Sequence, residues 1–416
     1  MKGMNTEELF RIALGLAKPW TVTEIAFSED KHQLDLHLDF PAGSRFACPQ
    51  CGQGDCPVHD TQERTWRHLN FFQHKTLLHA RQPRVKCPEH GVKTVEVPWA
   101  RPQVGFTLLM EAFIMALVQS GMTPKQVARM IDEHDTHIWR ILEHYVEKAR
   151  NEADYSDVKI VGVDETSRRR GHHYISVFMD LQGKRVMYAT EGRDAETVKA
   201  FKADLEAHGG KAKQIEEACL DMSPSFIAGL REEFPDAHQT FDPFHLMKLV
   251  NEAVDEVRRQ EQKDHPELTG TRYVWLTNRW KHTRKQQESF EELRGAKLKT
   301  VRAHHMKCVF QDIMTEPDRT VAEEQLAHWR TWAARSRLAP MVKVAKTFKD
   351  HWAGVVRWFT SRISNGLLEG INSLIQTAKR KARGFRSTKY LITMVYLIAG
   401  KLKFTLPTLG CAAHTK

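Results

Sequence analysis

The chain has 416 residues, of which 41% are apolar, and a formal net charge of +10 at pH 7. This length is enough for roughly two to four domains of about 100 to 200 residues each. Because its apolar stretches are shorter than the roughly 18 to 20 uncharged residues that cross a bilayer, we expect no membrane segment. The first residues, MKGMNTEELF, carry acids before their apolar part and do not resemble a secretory signal, which predicts a cytoplasmic protein.

The positive charge is concentrated in two segments. Residues 271–310 hold ten Lys or Arg against three acidic residues, and residues 364–403 hold eight against Glu369 alone. Clustered cations in a basic protein favour a polyanionic partner such as DNA. Solvated helix surfaces are the alternative interpretation of the same runs.

The character of the sequence changes along the chain. Residues 1–100 alternate short strand-like runs with turn residues, residues 105–150 have the pattern of three helices, and residues 157–242 alternate strands with helices. Residues 243–362 form a long helical stretch rich in Trp, and a helical pair fills residues 363–403. We therefore predict a multidomain α/β protein.

Two turns in the first region have the spacing of metal knuckles. CPQCG offers Cys48 and Cys51, and CPEHG offers Cys87 and His90. Two such turns on neighbouring hairpins form a tetrahedral Cys3His site for structural Zn²⁺, which stabilises a segment with little core of its own. Residues 1–100 are therefore predicted to be a zinc-ribbon N-terminal domain.

A rival ligand pair lies close to the first knuckle. Cys56 and His59, in CPVHD, have the same spacing and are near enough to replace the second knuckle. Turns without a metal, holding buried thiols, are the third interpretation. A closed tetrahedral site has no open coordination position, so the ribbon is predicted to support folding and DNA contact rather than catalysis.

The next region, residues 101–153, is predicted to be a helix-turn-helix DNA-binding domain. Thr123 and Pro124 form a helix start, and Asp135 is a candidate cap for a second helix. The residues predicted to face inward are Val127, Met130, Ile131, Ile138, Trp139, Leu142 and Val146. The outward residues of the second helix, where a recognition helix reads bases, are Thr136, His137, Arg140 and His144. Any three-helix core gives a similar pattern, so the neighbouring ribbon and the positive charge strengthen this prediction.

The following segment predicts a ribonuclease-H-like sheet. Its strands are predicted at 158–164, 172–179, 184–190, 215–221 and 237–242, with helices at 194–208 and 223–233. The first strand would end at Asp164 and the fourth at Asp221, and this topology places those two strand ends side by side. Because unpaired buried carboxylates are heavily penalised, a metal ion is predicted to compensate them.

A third acid is predicted on a helix within residues 364–387. The predicted buried stripe of this helix is Leu367, Leu368, Ile371, Leu374, Ile375 and Ala378. Its other face carries Asn365, Glu369, Asn372 and Gln376, followed by cations predicted to contact DNA phosphates: Lys379, Arg380, Lys381, Arg383 and Arg386. Glu369 is the one acid on that face, and oxygen ligands favour Mg²⁺ or Mn²⁺.

We therefore predict a catalytic Mg²⁺ (or Mn²⁺) site made by Asp164, Asp221 and Glu369. Two such ions about 3.5 to 4 Å apart activate an attacking water or 3′-hydroxyl and stabilise the leaving oxygen at phosphorus. The alternative is that the two aspartates only terminate strands and that Glu369 is a surface acid.

The sequence resembles the DDE insertion-sequence transposases of the ISL3 type over nearly its whole length. The motifs that carry the resemblance are CPQCG with CPEHG, the helix-turn-helix, VDE, CLDMSPSF, FDPFHLMKLVN and SNGLLEGINSLIQTAKRKARGF. The resemblance implies that Asp164, Asp221 and Glu369 are the catalytic triad. It also implies a ribonuclease-H-like catalytic domain over residues 154–403, interrupted by a helical insertion at about 243–362. Asp242 and His245, in FDPFH, look like a further family element and rank below the triad.

The resemblance also implies a function. A transposase of this kind binds the terminal inverted repeats of its element, cleaves the DNA ends and joins them to target DNA, as a homodimer or larger assembly on double-stranded DNA. The six tryptophans of the insertion are interpreted first as packing residues, with stacking of one on a flipped base as the alternative.

Two rival functions stay open from the sequence. One is a sequence-specific DNA-binding regulator whose nuclease-like domain is inert. The other is a structure-selective nuclease or resolvase without a joining step.

Overall fold

The computed structural model describes residues 5–169 and 173–409. The chain separates into two compact units, one holding residues up to Tyr145 together with the segment from Lys403 onward, and the other spanning Val146–Leu402. Within the described residues, no helix has the length and apolarity needed to cross a membrane.

The first unit begins with a sheet and continues into helices. Its elements in chain order are α1 (Thr6–Ala13), β1 (Thr21–Ser28), β2 (Gln33–Asp39), β3 (Arg45–Phe46), β4 (Cys56–Phe71), β5 (His74–Cys87), β6 (Gly91–Thr94), α2 (Leu108–Gln119), α3 (Pro124–Met130) and α4 (Asp135–Asn151). The strands lie in the order β1-β2-β5-β4-β3, and β6 pairs with β5. Alternate residues of β2 (Leu34, Leu36 and Leu38) are buried, as expected for a strand with one face on a core. Trp20, Trp66 and Trp99 meet edge to face in that core.

The three predicted helices of the helix-turn-helix segment are confirmed as α2, α3 and α4. Thr123 caps α3 through a capping box with Gln126, and Pro124 occupies the first turn. The prediction that Met130 faces inward is wrong, because its side chain is 60% exposed. The helix α3 ends at Met130, so the apolar face breaks off there and Ile131 is buried in the turn that follows.

The second unit is built on a five-stranded sheet. Its strands are β7 (Ile160–Arg169), β8 (His173–Asp180), β9 (Arg185–Glu191), β10 (Glu217–Leu220) and β11 (His238–Phe241), in the order β11-β10-β7-β8-β9. The pairs β7–β8 and β8–β9 are antiparallel, and β10 runs parallel to both β7 and β11. The helices α5 (Ala195–Ala207) and α6 (Pro224–Glu233) come between strands. This order confirms the predicted ribonuclease-H-like sheet.

A helical stretch follows β11. It comprises α7 (Pro243–Glu261), α8 (Arg272–Leu276), α9 (Arg284–Leu293), α10 (Lys299–Thr315), α11 (Arg319–Ala334), α12 (Ala339–Asp350) and α13 (Trp352–Ser361), and the chain then forms α14 (Gly366–Lys381) and α15 (Thr388–Ala399). Trp275 and Trp329 are fully buried packing residues, whereas Trp280 is 74% exposed.

Two details differ from the sequence-based expectation. The strand β7 does not end at Asp164 but continues to Arg169, because its pairing with β8 carries on past Glu165↔Ser176 and Thr166↔Ile175. In α14 only one apolar row is buried: the prediction is wrong for Leu367 and Leu374, which are 36% and 55% exposed. The reason is that the polar face of α14, and not a second apolar row, lies along β7.

Candidate active site and zinc-ligand cluster

Four sulfur and nitrogen ligands meet where two hairpins of the first unit end. Cys48 and Cys51 lie in the turn between β3 and β4, Cys87 is the last residue of β5, and His90 lies in the turn that leads to β6. One ligand atom from each residue lies within 4.8 Å of the other three. The turns close this way because Gly52 adopts a left-handed backbone conformation with φ of 72°, at little steric cost to a glycine.

The distances in this cluster fit a tetrahedral ion. Cys51 Sγ lies 3.8 Å from Cys87 Sγ, and Cys87 Sγ lies 3.6 Å from His90 Nδ1. Zinc with bonds of about 2.3 Å to sulfur and 2.0 Å to nitrogen separates such ligand pairs by about 3.8 and 3.5 Å. Hydrogen bonds from the backbone of Cys51 and Gln50 lower the pKa of the Cys48 thiol, which favours the thiolate that a metal requires.

The rival pair is split by the fold. Cys56 begins β4 and is buried, with its Sγ 3.5 Å from the carbonyl oxygen of Gln53. His59 points away, is about half exposed and lies 3.1 Å from the Asp60 carboxylate. The Cys3His arrangement therefore accommodates one ion without His59.

The outward face of α4 carries the residues predicted to read DNA. Arg140 is exposed, and Thr136 and His137 are half-buried. His137 Nδ1 lies 3.2 Å from Glu133 Oε2, and Thr136 Oγ1 lies 2.8 Å from His134 Nδ1. The predicted inward residues of this helix, among them Ile138, Trp139 and Leu142, are buried.

In the second unit, acids lie at one edge of three neighbouring strands. Asp164 lies within β7, Asp221 follows β10 and Asp242 follows β11. Asp164 and Asp242 are buried, and Asp221 is half-buried and accepts a hydrogen bond of 2.9 Å from the backbone of Ser223. Because β10 runs parallel between β7 and β11, the fold brings these three acids to the same region.

Hydrogen bonds attach α14, which carries Glu369, to β7, which carries Asp164. At the start of α14, Asn365 Nδ2 donates to the Val163 carbonyl at 3.1 Å. One turn after Glu369, Asn372 Nδ2 donates to Asp164 Oδ2 at 2.7 Å. Further on, the side chains of Gln376 and Lys379 donate to the Ser167 carbonyl, and Gln376 also donates to Thr166 Oγ1.

A glycine makes this close approach possible. A Cβ at position 162 would lie 2.8 Å from Leu368 Cδ1 and 2.9 Å from Asn365 Oδ1, both on the segment that begins α14. Such distances are shorter than van der Waals contact, so a larger residue at Gly162 would require the side chains of Leu368 and Asn365 to shift.

The electrostatics show that the acids influence one another. Burial raises the pKa of Asp164 to about 6, and the nearby Asp221 adds to the rise. Burial and the Asp242 carboxylate likewise raise the pKa of Glu369. The Asp242 carboxylate raises the pKa of His245, and Asp164 and Asp221 contribute to that increase. In turn, His245 opposes the rise in the pKa of Asp164 and of Glu369.

Three buried oxygens in this region, Asp242 Oδ2, Asn365 Oδ1 and Asn372 Oδ1, favour a cation. Asp242 Oδ2 lies 3.2 Å from His245 Nδ1, but the geometry is poor and neither atom has a hydrogen-bond partner in the described structure. Asn372 Oδ1 is also buried without such a partner. Buried oxygens in this state are normally satisfied by a donor, a water or a metal ion. The carboxylates are nevertheless farther apart than the ligands of the Cys3His cluster. Among the described residues, only Cys48, Cys51, Cys87 and His90 form a compact group of metal-ligating side chains, with ligand atoms within 4.8 Å of one another.

The predicted phosphate-binding cations lie at the far end of the same helix. Arg380, Lys381, Arg383 and Arg386 are exposed, and Lys379 is half-buried. Arg383 and Gly384 have left-handed backbone conformations, with φ of 57° and 94°, and end the helix. We call Asp164, Asp221, Asp242 and Glu369 the acidic group. The cations therefore lie along α14 beyond Glu369 and continue into the loop that follows the helix.

Sequence reasoning left two residues near the acids unassigned. Burial raises the pKa of Glu165, and the charges of Arg193 and of Lys248, on α7, oppose that rise; Arg193 Nη1 lies 3.8 Å from Glu165 Oε1. The signal for Lys248 was its position three residues after His245 on a helix, which places both on one face. Nothing in the local sequence around Arg193 indicated its role.

Comparison with known proteins gives the family. Residues 161–395, more than half of the chain, match the transposase domain of the ISL3 DDE family. The chain belongs to the ISL3 family of transposases. Residues 95–146 match the helix-turn-helix domain of transposase family ISL3, and residues 44–90 match the zinc-finger of transposase IS204/IS1001/IS1096/IS1165. The chain is accordingly a DNA-transposition enzyme with a DNA-binding helix-turn-helix, as the resemblance had implied.

Two curated ISL3-type relatives are similar over nearly their full length. The chain is 27% identical to the transposase for insertion sequence element IS1557 of Mycobacterium tuberculosis, over 97% of this chain and 98% of the relative. It is 26% identical to the transposase for insertion sequence element IS1001 of Bordetella parapertussis, over 92% of this chain and 96% of the relative.

Proposed function

We propose that this ISL3 transposase binds the terminal inverted repeats of its element, cleaves the DNA at those ends and joins them to target DNA. The observation that carries the proposal is the hydrogen bond from Asn372 to Asp164. It ties the helix that bears Glu369 to the central strand that bears Asp164. The influence of Asp221 on the pKa of Asp164 supports a single shared site.

Asp164, Asp221 and Glu369 are the residues that would hold Mg²⁺ or Mn²⁺. When bound, two such ions supply activation of the attacking oxygen and stabilisation of the leaving oxygen during in-line displacement at phosphorus. Asn372 orients the Asp164 carboxylate, and Asp242 lies within ion-pair distance of His245 beside the acids. Burial is the main cause of the raised pKa values of Asp164 and Glu369, and a neighbouring carboxylate adds to each, so a cation is favourable there.

DNA contacts are assigned to three groups of residues. Thr136, His137 and Arg140 on α4 are proposed to read bases. The cations proposed to contact phosphates are Lys379, Arg380, Lys381, Arg383 and Arg386, which fix the position of the duplex without reading its sequence. Cys48, Cys51, Cys87 and His90 are proposed to hold a structural Zn²⁺ that keeps the ribbon folded. Because an element has two ends, we propose that a homodimer forms on the DNA in the cytoplasm.

The test is incubation of purified protein with labelled element-end DNA and Mg²⁺. Wild type is compared with Asp164→Asn, Asp221→Asn and Glu369→Gln, and with Glu216→Gln as a control for loss of an exposed acid in the same unit. We expect cleavage and joining by wild type and the control, and binding without product for the three site variants. Equal product from all five proteins would rule out the triad.

The same assay separates the rival functions. Sequence-specific binding without cleavage, even in wild type, would favour a DNA-binding regulator. Cleavage of branched DNA irrespective of end sequence, with no joined product, would favour a resolvase.

A further inference from the structure

An exposed aromatic side chain stands next to the acidic group. Phe244, in the first turn of α7, is 56% exposed, and its ring meets that of His245 edge to face at 5.8 Å between centroids. Only Pro243 separates it in sequence from the buried Asp242. A large apolar ring kept in solvent beside a polar site has no role in the core of the unit.

Phe244 forms one wall of a cavity between α7 and α8. The cavity has a volume of about 610 Å³ and is lined by Phe244, Met247, Lys248, Asn251, Arg272 and Leu276, among others. This size falls within the roughly 300–1,000 Å³ of pockets that bind small molecules. Asn251 Oδ1 is buried and has no hydrogen-bond partner within the described part of the chain.

The charges around the cavity suit an uncharged ligand. Asp255 pairs with Arg272 at 3.4 Å and with Arg259 at 3.5 Å, so these two guanidinium groups are already engaged. Lys248 lies on the side of the acidic group, where it acts on Glu165. The cavity therefore offers an aromatic face, a thioether from Met247 and an amide. Its lining also includes the exposed carboxylates of Glu252 and Glu256, which suit an uncharged base better than a phosphate.

We propose that this cavity receives one unstacked nucleobase of the DNA end whose phosphate lies at the acidic group; the inference rests on the proposed function. Every base has a π face that stacks on an aromatic ring, and an asparagine amide hydrogen-bonds to base edges. Enzymes that take a base out of the stack recover the cost of unstacking through such contacts. Phe244 lies two residues from Asp242, so stacking there would hold the backbone of the same nucleotide close to the carboxylates.

The alternative of a tryptophan that stacks on a flipped base concerns Trp280. This side chain is 74% exposed, but it does not line the cavity. It is therefore the matched comparison for Phe244, because both are exposed aromatic residues of the same helical region.

The test measures binding of element-end DNA with Ca²⁺ in place of Mg²⁺, using intact DNA and a series in which single bases near the end are replaced by abasic sites. The proteins are wild type, Phe244→Ala, Phe244→Trp, Asn251→Ala and Trp280→Ala. We expect Phe244→Ala to weaken binding of intact DNA about 5-fold or more, which corresponds to the lower limit of base–aromatic stacking. This penalty should vanish on DNA that lacks one particular base.

Three further results would support binding of a base in this cavity. Phe244→Trp should bind intact DNA like wild type, and Trp280→Ala should bind every DNA like wild type. Asn251→Ala should weaken binding of intact DNA but not of DNA that lacks the same base. A penalty for Phe244→Ala that is absent, or equal at every abasic position, would overturn the inference, as would a base-specific penalty that follows Trp280 instead. Cleavage of the same DNA by wild type in Mg²⁺ is measured in parallel. If wild type cleaves but the Phe244→Ala penalty does not depend on one base, only the base-binding inference is refuted. If wild type does not cleave, the proposed function is refuted.

Discussion

The Cys3His cluster and the acidic group are two candidate metal sites built in different ways. The first comes from two short turns, in which Cys48 and Cys51, and Cys87 and His90, are each three residues apart. The second comes from strands and a helix that span residues 164 to 369, and the hydrogen bond from Asn372 to Asp164 is one of the contacts that join its parts. The ligand atoms of the first lie within 4.8 Å of one another, a spacing that the acids do not reach among the described residues.

This difference has a physical cause. Two glycine-containing turns at the ends of paired strands bring thiols together at low conformational cost, and neutral thiols do not repel. Carboxylates repel when they approach, and only packing of the whole unit holds them near each other. The zinc-ligand cluster should therefore depend on its own turns, whereas the acidic group should depend on contacts far away in the chain.

The largest expected effect concerns the Cys3His cluster. Cys87→Ser should abolish zinc binding and unfold the ribbon, because structural zinc contributes about 10 kcal/mol or more to folding in small zinc domains. Cys56→Ser should keep one zinc per chain, since Cys56 is not needed to complete the ligand set. Elemental analysis and limited proteolysis measure the outcome. If zinc is lost from Cys56→Ser and kept by Cys87→Ser, the rival ligand pair is the right one.

The next prediction concerns a distant contact in the unit that holds the acids. His304 is buried, with Nδ1 2.9 Å from the Trp275 carbonyl, and burial lowers its pKa from 6.5 to about 4. Because the unfolded chain then binds the proton more readily, stability is present above pH 6.5 and is lost as pH falls towards 4. The loss is about 3 kcal/mol for this group.

The check is the pH dependence of urea unfolding for His304→Gln. This variant should lose part of the slope between pH 6.5 and 4, whereas His305→Gln, a change at the exposed neighbour, should keep the wild-type slope. Identical slopes in all three proteins would exclude His304 as a source of acid sensitivity.

A third prediction concerns the contact between α14 and β7. Gly162→Ala should lower the free energy of unfolding by about 1–3 kcal/mol, because the added methyl group meets Leu368 and Asn365. Gly370→Ala, in α14, has nothing within 4 Å of its new methyl group and should raise the free energy of unfolding by up to about 1 kcal/mol. Chemical denaturation compares the two, and equal stability of both variants would show that α14 does not rely on this close approach.

The smallest expected effect concerns the hydrogen bond that orients the Asp164 carboxylate. Asn372→Ala should weaken Mn²⁺ binding about 10- to 100-fold, as is typical when a residue that orients a metal ligand is removed. Gln376→Ala should leave Mn²⁺ affinity unchanged, because Gln376 contacts Thr166 and Ser167 but no acid. Calorimetric titration of the DNA-free protein measures both affinities. Equal losses in the two variants would indicate general loosening of the helix.

The sequence predicted the elements better than their contacts. Strand and helix patterns, the capped start at Thr123 and the order of the ribonuclease-H-like sheet all follow from local periodicity and turn residues. The end of β7 was misplaced because pairing with β8, a long-range contact, extends the strand beyond Asp164. The exposure of Leu374 was missed for a related reason: a helical wheel gives the faces of α14 but not which face meets the sheet.

In the candidate site, too, the residue types were predictable from the sequence but the contacts between them were not. The residue types at Asp164, Asp221 and Glu369 were visible in the sequence, and so was the polar stripe that contains Asn372. The hydrogen bond from Asn372 to Asp164 depends on how α14 packs on β7, and the contribution of Lys248 and the cavity beside Phe244 depend on how α7 packs, which no local pattern encodes.

The most direct test of the account is a crystal structure of the protein soaked with Mn²⁺, with the ion located by its anomalous scattering. The account predicts a manganese peak in the second unit, coordinated by carboxylate oxygens of Asp164, Asp221 and Glu369, with Asn372 still bonded to Asp164. A fully occupied manganese site elsewhere, with these three carboxylates bound to no common ion, would contradict it.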